Sequence, residues 1–371
     1  MRQGDSLKAR VDWVDFAKGM CIVFVVMLHS TMRVESAADQ QGWMHYVIQF
    51  AKPFRMPDFF MISGLFLGMV IASPWRRYVD RKVIHFVYFY LLWSTIQTVV
   101  KTPYWMVGEG QTVAEVAQSW AWGLVQPEGT LWFIYMLPIF FVVTRLLRPV
   151  PWALLLAGAA VLEMLPIHTG SVLIDEFAAR YVYFLAGYLL AGHIFELAEW
   201  ARKHWALALG LIACWAVVNG ILTFSPAPAA LVDWVGPGYW SDMPVVSLML
   251  GAAGAIAIIL VSALVSRVRA LAFMSWLGAH SIVVYLAFFF PMQVSRILLQ
   301  KFAPGLDIGT ISAIVTIIAV VSPVILYFLI ERFGIGRFLF ERPAWARLEE
   351  PAPLGQNTSG AYKKGAPALS A

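Results

Sequence analysis

The sequence predicts an all-α protein, a polytopic bundle of about ten transmembrane helices with both termini in the cytoplasm. Of its 371 residues, 60% are hydrophobic and 13% are charged, whereas soluble domains are about half apolar and about a quarter charged. Apolar runs follow one another from residue 12 to residue 330, and no polar block among them is large enough for a separate domain. We therefore expect a cytoplasmic segment 1–11, one membrane domain 12–331, and a cytoplasmic, largely disordered tail 332–371.

Each apolar run is long enough to be considered as a membrane span. A helix needs roughly 20 apolar residues to cross a hydrocarbon core about 30 Å thick, and continuous rather than alternating runs disfavour transmembrane strands. The predicted spans are residues 12–32, 53–72, 83–101, 130–148, 150–166, 178–197, 204–224, 243–266, 273–299 and 308–331. The fifth is short and adjoins the fourth through Pro149 and Pro151, so nine or eleven spans remain an alternative.

Basic residues concentrate in alternate loops, which sets the expected orientation. Cytoplasmic loops carry the excess of Lys and Arg. The basic segments are 1–11, 73–82, the hairpin near Arg145 and Arg148, 198–203, 267–270 and the segment from Arg332 onward. The remaining loops hold more acid than base, and within them residues 43–50 and 112–125 are predicted to form short interfacial helices.

The same composition excludes several classes of function. Cys21 and Cys214 both fall in apolar runs, which disfavours a disulfide framework and a Cys-rich metal site, and we expect no bound metal. The net charge of +5 is spread over short loops, so it indicates membrane orientation and not nucleic-acid binding. The expected partner is the lipid bilayer.

An ionisable side chain within a span costs several kcal/mol unless it is paired or faces water, so it is a functional candidate. His29 lies about one turn below the outer end of the first span, and Arg55 and Asp58 lie in the first two turns of the second. At this shared depth His29 can accept a proton, Asp58 can fix its tautomer and Arg55 can balance the charge. Asp15 is roughly 21 Å from His29 along a straight helix, too far to orient it.

Each of these residues can also have a purely structural role. His29 can equally be a bundle-facing residue that is bonded to a backbone carbonyl, and Asp58 a structural partner of Arg55. The indole of Trp132 can line a site or belong to an interfacial belt.

Four cations occupy one predicted cytoplasmic loop: Arg76, Arg77, Arg81 and Lys82. Topology alone explains such a loop, but Arg also binds phosphate bidentately. Because Arg77 and Arg81 lie four apart, a helical loop would place them on one face. A phosphate-rich cytoplasmic cofactor is the ligand that this chemistry favours.

Several segments together resemble the acyltransferase-3 family of bacterial integral-membrane acyltransferases, over about residues 10 to 331. VDWVDFAKGMCIVFVVMLHS places Asp15, Lys18 and His29 as in that family's opening pattern. FRMPDFFMISGLFLG resembles its second-span signature, while TLWFIYML, YFLAGYLLAG and WLGAHSIVVYL resemble later motifs. Two departures are Asp58, which replaces a commonly apolar residue, and AFFF, which stands where many members carry a further His.

The resemblance implies transfer of an acyl group, acetyl- or succinyl-like, from cytoplasmic acyl-CoA to a hydroxyl of a sugar, polysaccharide or other cell-envelope acceptor. Acyl-CoA would be a donor substrate, with no permanently bound cofactor, and the protein would lie in the bacterial inner membrane. We then expect His29 to accept the acceptor's proton, Asp58 to orient it, and Arg55 or a group near Trp132 to stabilise the oxyanion. Asp15 and Trp132 are expected to contact substrate, and the basic residues of 76–82 to bind the CoA phosphates.

A different class remains open, a transporter or flippase whose intramembrane His, Asp and Arg form a polar pathway. No inverted repeat is evident to favour it.

Overall fold

A computed structural model describes residues 3–127, 129–230 and 238–348, with side chains from Asp12 onward. Over these ranges the chain is helical, and the β pairing is one isolated bridge between Pro226 and Tyr239. The predicted all-α class is confirmed for this part of the chain. Its helices are α1 (Gln3–Ala38), α2 (Met44–Gly64), α3 (Trp75–Gly108, including a π-helical turn at Asp80–Ile84), α4 (Val113–Gly123), α5 (Trp132–Leu146), α6 (Trp152–Met164), α7 (Val172–Leu189), α8 (Ala191–Lys203), α9 (Trp205–Phe224), α10 (Pro244–Val265), α11 (Ala272–Ala279), α12 (Ser281–Ala287), α13 (Phe289–Phe302) and α14 (Ile308–Phe333).

Among the described residues, five helices are long and apolar enough to cross a membrane: α1 from Asp12, α3, α9, α10 and α14. The number rises to seven if two bent pairs each form one span. One pair is α7 and α8, bent by 75°, and the other is Arg269–Ala279 with α12, bent by 63°. Helices α5 and α6 are apolar but shorter. The count of about ten spans and the cytoplasmic termini stay predictions.

Helix α2 differs from the predicted second span. The prediction was 53–72, whereas the helix begins at Met44, passes through Pro53 and Pro57, and ends at Gly64. Residues 43–50, predicted to form a separate interfacial helix, are instead largely its first two turns. No Gly separates the two stretches, and the helix continues through Pro53, the predicted start of the second span.

Two predicted spans bend where their sequence stays apolar. The predicted helix 178–197 changes direction at Leu190, and 273–299 is divided into α11, α12 and α13. The first break in the latter lies at His280, whose φ of −110° and ψ of 21° leave the helical region. Because hydropathy measures burial and not backbone direction, these bends do not appear in the apolar pattern.

Helix α1 lies at the centre of the bundle, where it packs against α2, α10, α11 and α14. Its crossing with α11 depends on two glycines. A Cβ on Gly278 would lie 1.6 Å from the carbonyl oxygen of Asp15, and one on Gly19 would lie 2.2 Å from that of Met274. The two backbones can approach this closely only because neither residue has a side chain.

Helix α4 forms inside the stretch 112–125, as the sequence predicts. Thr112 caps it: the Thr112 hydroxyl accepts from the Glu115 backbone N–H, and the Glu115 carboxylate accepts from the Thr112 backbone N–H. The Thr112 backbone N–H and hydroxyl both donate to the Glu115 carboxylate, and these two hydrogen bonds hold the pKa of the Glu115 carboxyl below its ordinary value.

The segment after α14 folds back onto α3. The Arg342 guanidinium donates to the Asp80 carboxylate at 2.7 Å, and the backbone N–H of Leu348 donates to the other Asp80 oxygen at 2.7 Å. Farther along α3, the Trp93 indole donates to the Leu339 carbonyl at 2.9 Å. The first part of the predicted tail is therefore anchored on α3, while residues 349–371 lie outside the described part.

Candidate functional site

A cavity of about 210 Å³ lies where the second halves of α1 and α2 and the starts of α5 and α7 converge. Its polar lining residues are His29, Arg55, Thr130, Trp132, Glu176, Arg180 and Tyr285. Apolar side chains fill the rest of the wall, among them Phe59 and Phe133, which stack with ring centroids 4.2 Å apart. The site thus combines an imidazole, two guanidinium groups and a carboxylate with several uncharged polar groups and an apolar wall.

His29 is half-buried on this cavity, and its ring packs against Phe288 with centroids 5.7 Å apart. No side chain or backbone group among the described residues hydrogen-bonds to the imidazole. The alternative of a histidine bonded to a backbone carbonyl therefore has no support in this structure. Its ring nitrogens are available to a molecule inside the cavity.

Arg55 shares the cavity, as its predicted depth suggests. It is 7% exposed, and one terminal nitrogen donates to the carbonyl of Ile48 at 3.3 Å. Its Nε has no hydrogen-bond partner within the described residues. A guanidinium this buried retains unused donors, so it can hold an oxyanion or another anionic group in the cavity.

Asp58 does not contact His29 in the structure, contrary to the pairing that the sequence analysis expects. Asp58 is fully buried, does not line the cavity, and neither of its carboxylate oxygens has a hydrogen-bond partner among the described residues. Residues three apart on a helix point about 60° apart around its axis. The long Arg55 side chain reaches the cavity, whereas the short Asp58 side chain points into the neighbouring interior. The orienting role predicted for Asp58 lacks the contact that it needs.

The carboxylate on the cavity belongs instead to Glu176, a residue that the sequence analysis did not select. Glu176 and Arg180 lie one turn apart on α7, with Arg180 Nε donating to Glu176 Oε2 at 3.1 Å. The sequence did carry a signal for this pair, because Glu176 and Arg180 are opposite charges four residues apart in an apolar helix. The predicted span began at residue 178, which left Glu176 in a loop and hid the pattern.

Trp132 also lines the cavity, so the structure places it where a substrate contact is possible. It follows a short connection that is held in place by Tyr285, whose hydroxyl donates to the Thr130 carbonyl. Phe60 packs against the Trp132 ring at a centroid distance of 5.9 Å. These contacts fix the indole on the wall of the cavity, and its role toward substrate stays a prediction.

Asp15 lies away from this cavity, near the start of the described side chains of α1. It accepts from Lys18 at 3.1 Å, the pairing that its spacing predicts. Its backbone forms the close crossing with Gly278. No described contact connects Asp15 with His29, and its predicted contact with substrate stays a prediction.

The basic residues predicted to bind CoA phosphates occupy the start of α3, a helix and not a loop. Arg76, Arg77 and Arg81 are exposed. Arg76 donates to the carbonyl of Leu348 at 3.1 Å, and Lys82 Nζ lies 4.4 Å from the centroid of the Phe141 ring. None of the four residues lines the His29 cavity.

The fold and the site together define a helical membrane protein with an imidazole and a guanidinium on one enclosed cavity. Comparison with known families matches residues 11–332 to an acyltransferase domain, and the chain belongs to the acyltransferase-3 family. The resemblance that the motifs indicated is thus confirmed, and with it the membrane acyltransferase class.

Two curated proteins resemble the chain. Nodulation protein NolL of Sinorhizobium fredii (strain NBRC 101917 / NGR234) is 27% identical over 208 residues, which cover 55% of this chain and 54% of NolL. Inner membrane protein YcfT of Escherichia coli (strain K12) is 27% identical over 160 residues, covering 38% of this chain and 44% of YcfT. The chain thus spans about half of each relative's length. No solved structure matches it.

Proposed function

We propose that this protein is an O-acyltransferase of the bacterial inner membrane that moves an acetyl- or succinyl-like group from acyl-CoA to a hydroxyl of a sugar, polysaccharide or other cell-envelope acceptor. Membership of the acyltransferase-3 family supports the reaction class, and the relative YcfT is named an inner membrane protein. The observation that carries the proposal is the half-buried His29 imidazole, which has no hydrogen-bond partner among the described residues, on a cavity that also holds Arg55.

In the proposed reaction His29 removes the proton from the acceptor hydroxyl as its oxygen attacks the thioester carbonyl carbon. The new C–O bond forms while the carbonyl oxygen becomes an oxyanion, to which Arg55 donates. The intermediate then collapses with cleavage of the C–S bond. The leaving thiolate takes the proton back from the imidazolium, so His29 returns to its neutral form and free CoA is released.

Glu176 supplies the negative charge that was expected from Asp58. A carboxylate on the wall of a low-dielectric cavity stabilises the imidazolium that forms when His29 is protonated. Arg180 holds that carboxylate in place through the 3.1 Å hydrogen bond. Trp132 offers a flat apolar surface beside these charges, suited to the acyl group or to the face of a sugar ring.

The donor is proposed to bind through the basic residues at the start of α3. Guanidinium groups bind phosphate bidentately, and Arg77 and Arg81 are exposed on one helical segment with Arg76 and Lys82 beside them. Asp15 and Lys18 lie on α1 away from the His29 cavity. We place them near the path by which the donor enters the bundle.

The decisive experiment replaces His29 with alanine. The full chain in liposomes is given acetyl-CoA or succinyl-CoA with a labelled acyl group together with a cell-envelope glycan extract, and the label in the glycan is measured. Because a general base contributes roughly 10²- to 10⁴-fold, His29→Ala should lose at least a hundredfold in transfer. The matched control is His193→Ala, an exposed histidine on α8 that does not line the cavity.

Both variants should reach wild-type expression and keep the wild-type melting temperature in detergent. Transfer that persists in a folded His29→Ala protein would refute the base assignment. A wild-type protein that moves the glycan across the bilayer without adding label to it would favour the transporter alternative.

A further inference from the structure

A second cavity, of about 430 Å³, borders the first and is not used by the reaction proposed above. Its wall is formed by α2, α6, α7, the segment that joins α6 to α7, and the residues around the start of α10. Arg180 lines both cavities, and α2 contributes Lys52 to this one and Arg55 to the first. Ligand pockets usually have volumes of about 300–1,000 Å³. The cavity is thus large enough for a ligand, which would lie next to the His29 cavity.

Glu163, in the last turn of α6, gives this cavity a fixed carboxyl group with one unused oxygen. Its Oε1 accepts from the Ser247 hydroxyl at 2.8 Å and from the Tyr183 hydroxyl at 3.2 Å. Its Oε2 is buried and has no hydrogen-bond partner among the described residues. Because buried polar atoms are normally hydrogen-bonded, we expect a bound molecule to donate to this oxygen.

A second buried polar group lies on the same wall. Ser241 is 4% exposed, and its hydroxyl has no hydrogen-bond partner within the part of the chain that the structure describes. A serine hydroxyl can both donate and accept. Since Ser241 and Glu163 come from different parts of the chain and line one cavity, a ligand with several hydroxyl groups can bond to both.

The charged groups on this wall are of both signs, which disfavours a charged ligand. Lys52 is paired with Asp242 at 2.7 Å, and the Asp175 carboxylate accepts from two backbone N–H groups of the preceding loop at 2.8 and 3.1 Å. An anion would lie near Glu163 and Asp175, and a cation would lie near Lys52 and Arg180. Hydroxyl groups can donate to the carboxylates and accept from the cations. The wall therefore suits an uncharged ligand with many hydroxyls.

We propose that the second cavity binds an uncharged sugar of the acceptor, with one sugar hydroxyl donating to Glu163 Oε2 and another bonded to Ser241. This inference rests on the proposed function for one point only, that the adjoining part of the same acceptor presents its hydroxyl to His29. The acceptor class is then a neutral glycan, which is recognised through its hydroxyls and not through a charge.

The test measures binding to the full chain in detergent, without any acyl donor, by titration calorimetry. The neutral probes are maltotriose, mannotriose and cellotriose. The charged probes keep the linkage of cellotriose: cellotriuronate is anionic and the glucosamine trimer is cationic. The best neutral probe should bind about tenfold more tightly than either charged probe, because burying an unpaired charge is costly. No binding of any neutral probe, or equal or tighter binding of a charged one, would overturn the proposal.

Glu163→Gln should weaken binding of the best neutral probe about tenfold, because a hydrogen bond to a carboxylate is roughly twice as strong as one to a neutral amide. The matched control is Glu196→Gln, which removes the same charge from an exposed position on α8 that does not line the cavity. The same loss of affinity in Glu196→Gln would overturn the proposal.

Ser241→Ala keeps the proposal testable even if Glu163→Gln does not fold. It removes a hydroxyl that has no partner among the described residues, so the melting temperature should stay that of the wild type. Binding of the neutral probe should weaken about threefold or more, the effect of one neutral hydrogen bond. Unaltered affinity in either variant, once it is shown to be folded, would overturn the proposal.

Failure of this inference is distinguishable from failure of the proposed function. His29→Ala should bind the neutral probe like the wild type while losing acyl transfer. Selective binding of a neutral probe without any acyl transfer by the wild type would refute the proposed function and leave the sugar site standing. Acyl transfer to glycans without binding of any neutral probe would refute the sugar site alone.

Discussion

Asp58 and Glu176 occupy two different environments for a carboxyl group in this bundle. Asp58 is fully buried without a hydrogen-bond partner among the described residues, whereas Glu176 is bonded to Arg180 on the His29 cavity. An ionised carboxylate is very costly in an apolar interior without a partner. A neutral side chain of the same shape therefore suits the place of Asp58, and a charged one suits that of Glu176.

The matched pair Asp58→Asn and Glu176→Gln tests this difference. Asp58→Asn should keep at least half of the acyl-transfer activity, because it removes no charge from the cavity. Glu176→Gln should lower kcat by roughly tenfold, equivalent to about 1.4 kcal/mol, because the imidazolium that forms on His29 loses a nearby carboxylate. Initial rates with labelled acetyl-CoA, at equal amounts of folded protein, measure both.

The opposite ranking would contradict the assignment. If folded Asp58→Asn loses a hundredfold while Glu176→Gln is normal, the acid that serves His29 is Asp58 after all. That outcome would require a rotation of α2 from the position in this structure, because Asp58 does not line the cavity here.

At the scale of single residues, the sequence predicts which residues are candidates for function better than it predicts which side chains contact them. His29 and Arg55 stand out because ionisable groups are rare in apolar runs, and the structure places both on one cavity. Depth along a helix is readable from residue number, but the direction around the axis depends on how neighbouring helices pack. That is why Asp58 was matched in depth and still points away from His29.

At the scale of elements, the close crossing of α1 and α11 determines the position of His29. Because α1 also packs on α2, a shift of α1 away from α11 would displace His29 relative to Arg55. Gly19 and Gly278 allow the crossing, since a Cβ on either would overlap a backbone oxygen of the other helix. The crossing therefore connects local sequence with the geometry of the site.

Gly278→Ala is expected to separate the two helices and to destabilise the fold by about 1–3 kcal/mol, the usual cost of overpacking. The control is Gly210→Ala on α9, where a Cβ meets nothing within 4 Å. That control should be neutral or slightly stabilising, because Ala is the better helix former. Melting temperatures in detergent measure both, and equal melting temperatures for the two variants would contradict the crossing.

Helix existence was more predictable than helix direction. The apolar runs correctly placed α9, α10 and α14 to within a few residues. The bends at Leu190 and His280 could not be predicted from hydropathy, because the sequence stays apolar on either side of both residues. The start of α2 was missed for the reverse reason, since residues 44–52 are too polar to register as part of a span.

At the scale of the whole molecule, helix α5 connects the His29 cavity with the basic residues of α3 that are proposed to bind the donor. Its first residue, Trp132, lines the His29 cavity, and Arg145 near its end lies 4.0 Å from the centroid of the Trp75 ring at the start of α3. Thirteen residues of helix span roughly 20 Å. The basic residues of α3 are thus separated from the imidazole by most of a bilayer core. In the proposed reaction, an acyl-CoA bound at these residues would extend along the bundle or pass its acyl group on in a second step.

This separation predicts that the two regions affect different kinetic parameters. The double variant Arg77→Gln/Arg81→Gln should raise the KM for acetyl-CoA about tenfold or more with little change in kcat, because it weakens phosphate binding away from the reacting atoms. The control is Arg267→Gln/Arg269→Gln, which removes the same charge from exposed positions after α10. Acetyl-dephospho-CoA sharpens the measurement: loss of the 3′-phosphate should raise the KM of the wild type but not that of the double variant. An unchanged KM, or an equal rise in the control, would return the basic residues of α3 to a role in membrane orientation alone.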